Sequence, residues 1–83
     1  LVLSRAIALG KEMADSGENS AEKITDAMKA LIEKEPLARI DYVKIVDSLT
    51  MQQVKTLDKP ILCAIAVYIG KTRLIDNFIT GEL

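Results

Sequence analysis

The sequence predicts an α+β domain in which an N-terminal helical hairpin packs on one face of a small, mainly antiparallel three-stranded sheet. Three observations carry this. Apolar residues recur at helical spacing as far as Lys34. Beyond Pro36 the period drops to about 2, and β-branched and aromatic residues take over. The links between the later segments are too short for the crossovers that parallel pairing needs.

In the first element Leu3, Ala6, Ile7, Gly10, Met13 and Ala14 form one stripe, with Ser4, Arg5, Lys11, Glu12 and Asp15 opposite. Ser16-Gly17 stops it, because glycine enters the left-handed conformation without a β-carbon penalty. Asn19 and Ser20 offer N-caps, Glu22 places negative charge in the first turn, and Ile24, Ala27, Met28, Leu31 and Ile32 form the second stripe. Pro36 disfavours helical geometry at Glu35, so this helix ends near Lys34. Arg39 to Val46 reads as a strand that alternates early and is apolar on both sides late, as if its first half projected from the sheet. Asp47 to Thr50 is a turn, and Met51 to Thr56 is either a short strand or an irregular loop. Ile61 to Ile69 is apolar throughout and predicts the central strand. Gly70-Lys71-Thr72 turns the chain into a last strand, Arg73 to Ile79.

Composition narrows the chemistry. The 83 residues hold 11 Lys and Arg against 12 Asp and Glu, a net charge of −1, which offers nucleic acid or an anionic membrane no global attraction. With no histidine, the chain lacks the commonest general base and any imidazole metal ligand. One cysteine makes neither an internal disulfide nor a thiolate cluster, and fits a cytosolic compartment. The longest uncharged apolar run, Ile61 to Ile69, is far short of the about 20 residues of a membrane span. A chain that opens on Leu1-Val2-Leu3, already inside an amphipathic pattern, is expected to be a piece of a longer one rather than to start with a signal peptide.

Gly70-Lys71-Thr72 after an apolar strand imitates the end of a phosphate-binding loop, but Ile65 stands where that motif needs glycine, so it reads as a hairpin turn. Lys71 and Arg73 are either solvated cations or contacts to a ligand phosphate. Cys63, in the most apolar segment, is expected to be packed and inert. Glu33, Glu35 and Asp41 form no paired carboxylates and read as solvated surface. Asp76-Asn77 interrupts apolar pairs in a strand, so the two are held by the hairpin backbone, by an ion pair with Arg73, or by a ligand. Tyr42 and Tyr68 read as core edge, since no basic residues interleave with them to make a nucleic-acid face.

The segment Gly70-Lys71-Thr72-Arg73-Leu74-Ile75-Asp76-Asn77 resembles the closing signature of the pantothenate synthetase (pantoate-beta-alanine ligase) family. Ser16-Gly17-Glu18, Ala21-Glu22-Lys23-Ile24, Ile40-Asp41-Tyr42-Val43 and the apolar strand before Gly70 fall in the order of that family's C-terminal domain. The resemblance implies that residues 1–83 are a single lid domain of a cytoplasmic, homodimeric, ATP- and Mg2+-dependent ligase. Such an enzyme joins pantoate to beta-alanine through a pantoyl adenylate. It also implies that ATP and Mg2+ are bound mainly by an N-terminal domain carrying His-x-Gly-His and Ser-Ser-Arg-Asn motifs, neither of which occurs here. The isolated piece is then expected to be inactive, with no catalytic residue or metal ligand of its own and its N-terminal domain as partner. Lys71 and Arg73 are the expected lid contacts to nucleotide. The competing expectation is a stand-alone interaction module without enzymatic activity.

Overall fold

The computed structural model describes residues 1–81 and has the order α1 (Val2–Asp15), α2 (Ala21–Glu33), β1 (Ala38–Asp47), β2 (Ile61–Ile69), β3 (Thr72–Thr80). Each boundary has a local cause. Gly17, at φ 101°, closes α1: its N–H donates to the Ala14 carbonyl and that of Glu18 to the Met13 carbonyl, the paired bonds of a Schellman ending. Ser20 caps α2 by accepting from the Lys23 N–H at 3.2 Å. Asn19 is no cap; its carbonyl instead accepts from the Leu57 N–H.

The sheet has the order β1-β2-β3 with both pairs antiparallel, so the apolar segment Ile61–Ile69 is the central strand, as its composition predicts. The first half of β1 does not project. Ala38 pairs with Ile69 and Arg39 with Tyr68, and the register slips only between Ile40 and Tyr42, where Asp41 is the extra residue of a bulge. At the β2–β3 turn Gly70 alone has positive φ, 61°, the pattern of a type II′ hairpin.

Alternation sends Ile61, Cys63, Ile65 and Val67 of β2 toward the helices, where all four are fully buried with Ile24, Met28 and Ile32 of α2. Helix α1 approaches so closely at Gly10 that a β-carbon there would lie 2.5 Å from the Met28 sulfur. The segment 51–57 is pinned through its backbone: Val54 N–H donates to the Ile45 carbonyl and Ala21 N–H to the Lys55 carbonyl. It makes only isolated bridges, Val46 with Gln53 and Ser20 with Thr56.

Candidate functional site

The other side of the sheet carries no helix. The register puts Arg39, Tyr42, Lys44 and Val46 of β1, Leu62, Ala64, Ala66 and Tyr68 of β2, and Arg73, Ile75, Asn77 and Ile79 of β3 on this open face. Its apolar members at the β3 edge stay wet: Ile75 is 67% and Ile79 46% exposed. Val46 and Ala66 are buried yet lie outside the helix-side core.

One end of this face is charged. Tyr68 lies in register between Arg39 and Arg73, and the Arg39 guanidinium stacks 4.4 Å from its ring centroid. Arg73 reaches across to β1, where its Nε (3.2 Å) and terminal nitrogen (3.0 Å) both donate to the same Asp41 oxygen, Oδ2. The hydrogen bond to Asp41 is the main cause that raises the Arg73 pKa. The bulge makes this possible, because it lifts Asp41 out of the ladder toward a residue two strands away. Further along, Lys44 sits 4.7 Å above the Tyr42 ring.

These contacts correct several sequence expectations. Asp41 is an ion-pair partner rather than a solvated carboxylate, with its side chain 39% exposed and that of Arg73 44%. Asp76 does not pair with Arg73; it accepts from the N–H of Asn77 at 2.8 Å, which is the backbone option. Basic residues do interleave with the tyrosines, and only the strand register reveals it. Glu35 accepts from the Leu37 N–H, and Glu33 ends α2 exposed. Cys63 is buried against the Met28 sulfur at 3.7 Å, and burial pushes its thiol pKa up to about 12, so it is inert as expected. Lys71 is exposed at the hairpin tip beside the charged end and makes no ion pair among the described residues. The structure thus places Lys71 and Arg73 at one end of the molecule and adds Arg39, which the sequence did not single out, and Tyr68, which it read as core edge. Among the described residues no group of three or more His, Cys, Asp or Glu side chains could hold a metal.

Comparison with known proteins is consistent along the chain. The family model described as pantoate-beta-alanine ligase matches residues 1–79. The chain is similar to pantothenate synthetase of Ruminiclostridium cellulolyticum, 58% identical over 78 residues that are 94% of this chain and 28% of that protein. It is similar also to pantothenate synthetase of Syntrophus aciditrophicus, 48% identical over 99% of this chain and 29% of that protein. A crystal structure of pantothenate synthetase from Thermus thermophilus superposes with TM-score 0.82 at 28% identity, over 93% of this chain and 28% of that one. The chain therefore spans under a third of the length of the relatives it matches.

Proposed function

We propose a function from one premise: the chain belongs to the pantoate-beta-alanine ligase family. In this reading residues 1–83 are the C-terminal lid domain of a cytoplasmic, homodimeric enzyme that condenses pantoate with beta-alanine at the expense of ATP. The observation that carries it is the family match over residues 1–79, with relatives named pantothenate synthetase that are 58% and 48% identical.

The chemistry explains why a lid is useful. A pantoate carboxylate oxygen attacks the α-phosphorus of ATP, and the bond to the β-phosphate oxygen breaks, releasing pyrophosphate. The amine of beta-alanine then attacks the acyl carbon of the adenylate, gives up a proton and expels AMP. Water attacking the same carbon returns pantoate and wastes the nucleotide, so a cover that excludes water protects the product. The chain's own part is to cover and to present Lys71 and Arg73 toward the nucleotide, where cations match phosphate charge. Among the described residues the acids offer Mg2+ no ligand set, so metal binding is assigned to the rest of the parent enzyme. No helix among the described residues is long and apolar enough to cross a membrane.

The test compares the parent enzyme with a version lacking these residues. The intact enzyme is expected to yield pantothenate, AMP and pyrophosphate, the truncated one to turn ATP over with free pantoate as the main product, and the isolated chain to do neither. A truncated enzyme that still makes pantothenate at the intact rate overturns the lid role. An intact parent with no ATP-dependent condensation overturns the ligase reading and returns the domain to the class of interaction modules.

A further inference from the structure

We infer that the open face of the sheet, and not the helical side, is the surface this domain turns toward the nucleotide-holding part of its own parent chain. The inference rests on the lid reading and specifies which face closes.

Charge is the first argument. The open face carries Arg39, Lys44 and Arg73 against the single carboxylate of Asp41, whereas the chain as a whole has a net charge of −1. This side of the sheet, which no described helix covers, thus has a local surplus of positive charge. Two of these cations are held by aromatic rings rather than by carboxylates, which fixes them in place while leaving their charge unneutralised. Such a face suits an anionic surface or a bound triphosphate.

Chain geometry is the second. Leu1 lies beside Lys34 and Glu35, at the C-terminal end of α2. Glu35 accepts from the Ala38 N–H, and Leu37 accepts from the Gly70 N–H at the β2–β3 turn. The point where a preceding segment would join is therefore at the same end of the molecule as Arg39, Tyr68, Arg73 and Lys71. The matched relatives are more than three times as long as this chain, so most of the parent lies outside it. A body joined at Leu1 meets the cationic end of the open face first. The third argument is Ile75 and Ile79, exposed apolar side chains on the same face that docking would dry.

Hydroxyl-radical footprinting of the full-length parent enzyme, with and without ATP and pantoate, tests this. Expected is a severalfold loss of oxidation at Tyr68, Ile75 and Ile79 on adding both substrates, with Leu9 and Met13 of the helical side unchanged. Oxidation of Ile75 that is low throughout supports docking as well, because Ile75 is two-thirds exposed in this chain. Protection at Leu9 and Met13 with the open face unchanged overturns the face assignment and leaves the lid standing. An accessible and unchanged pattern on both faces overturns the lid itself. A charge pair sharpens the result: Ile75→Glu in the parent should lower kcat/KM severalfold while Ile75→Lys should not, and the reverse order overturns the docking of this face on an anionic surface.

Discussion

The two faces of the β-sheet are built from alternate residues of the same three strands, yet they differ in almost every physical respect. On the helix side Ile61, Cys63, Ile65 and Val67 are fully buried, and none of the described residues buries a charge. On the open side three cations lie over or beside two tyrosines, and isoleucines face water. The difference teaches where freedom lies in a domain this small. Stability draws mainly on one set of alternate positions, and most of the other set, Val46 and Ala66 excepted, is released from packing and can carry charge.

The largest test of that division is a pair of identical truncations. Ile65→Ala removes a fully buried side chain and should cost about 2–5 kcal/mol, out of a total of about 4–12 kcal/mol for a domain of this size. Ile75→Ala, beside the register partner of Ile65 on the neighbouring strand but on the open face, should stay within about 0.5 kcal/mol. Denaturant titrations of both variants read the contrast directly. Similar losses would mean that the open face is also part of the core.

Alkali probes the same burial chemically. The Cys63 thiol ionises near its ordinary value of 9.0 when unfolded and is pushed up to about 12 by burial in the fold. The folded state thus keeps a proton that the unfolded chain loses. Its contribution is complete below pH 9 and falls as pH rises toward 12, by up to about 1.4 kcal/mol per pH unit. The stability difference between the native chain and Cys63→Ala should therefore shrink above pH 9. At Gly10 two effects oppose each other. Alanine gains about 1 kcal/mol of helix propensity. Its β-carbon would lie 2.5 Å from the Met28 sulfur and 3.0 Å from the Phe78 ring, so the fully buried Met28 side chain would have to shift. Overpacking costs about 1–3 kcal/mol, so Gly10→Ala should lower the melting temperature. A rise would show that α1 can move away from α2.

These contrasts also explain what could be read from the sequence. The covered side was legible because burial leaves a periodic trace: both helical stripes, the central strand and the turn at Gly70 were found with boundaries one or two residues from those observed. The segment 51–57 left little trace, since backbone bonds, which any side chain permits, and the packing of only Val54 and Leu57 against the core hold it. The charged end of the open face was hidden for a related reason. Arg73 and Asp41 are 32 residues apart, and Arg39 meets Tyr68 only through strand register. Counting alternate positions back from Ile40 would have put Arg39 on the open side. The bulge at Asp41 upsets the same count beyond it.

The smallest expected change in stability belongs to Arg73, and it separates the two faces most sharply. The ion pair with Asp41 is exposed on both sides, and both guanidinium donors converge on one carboxylate oxygen instead of forming a two-oxygen fork. Solvent and salt screen such a pair, so Arg73→Ala should leave the melting temperature of the domain close to that of the native chain. On the proposed lid reading, in which Arg73 faces the nucleotide, the same change in the parent enzyme should lower kcat/KM for pantothenate formation clearly, since a cation facing phosphate acts on charge that the reaction redistributes. Asp41→Ala should be milder, because it frees the guanidinium without removing it. If Arg73→Ala instead lowers stability more than activity, the cation serves the sheet. If Asp41→Ala damages activity as much as Arg73→Ala does, the guanidinium works only when held across β2, and the bulge at Asp41 is then part of the functional geometry.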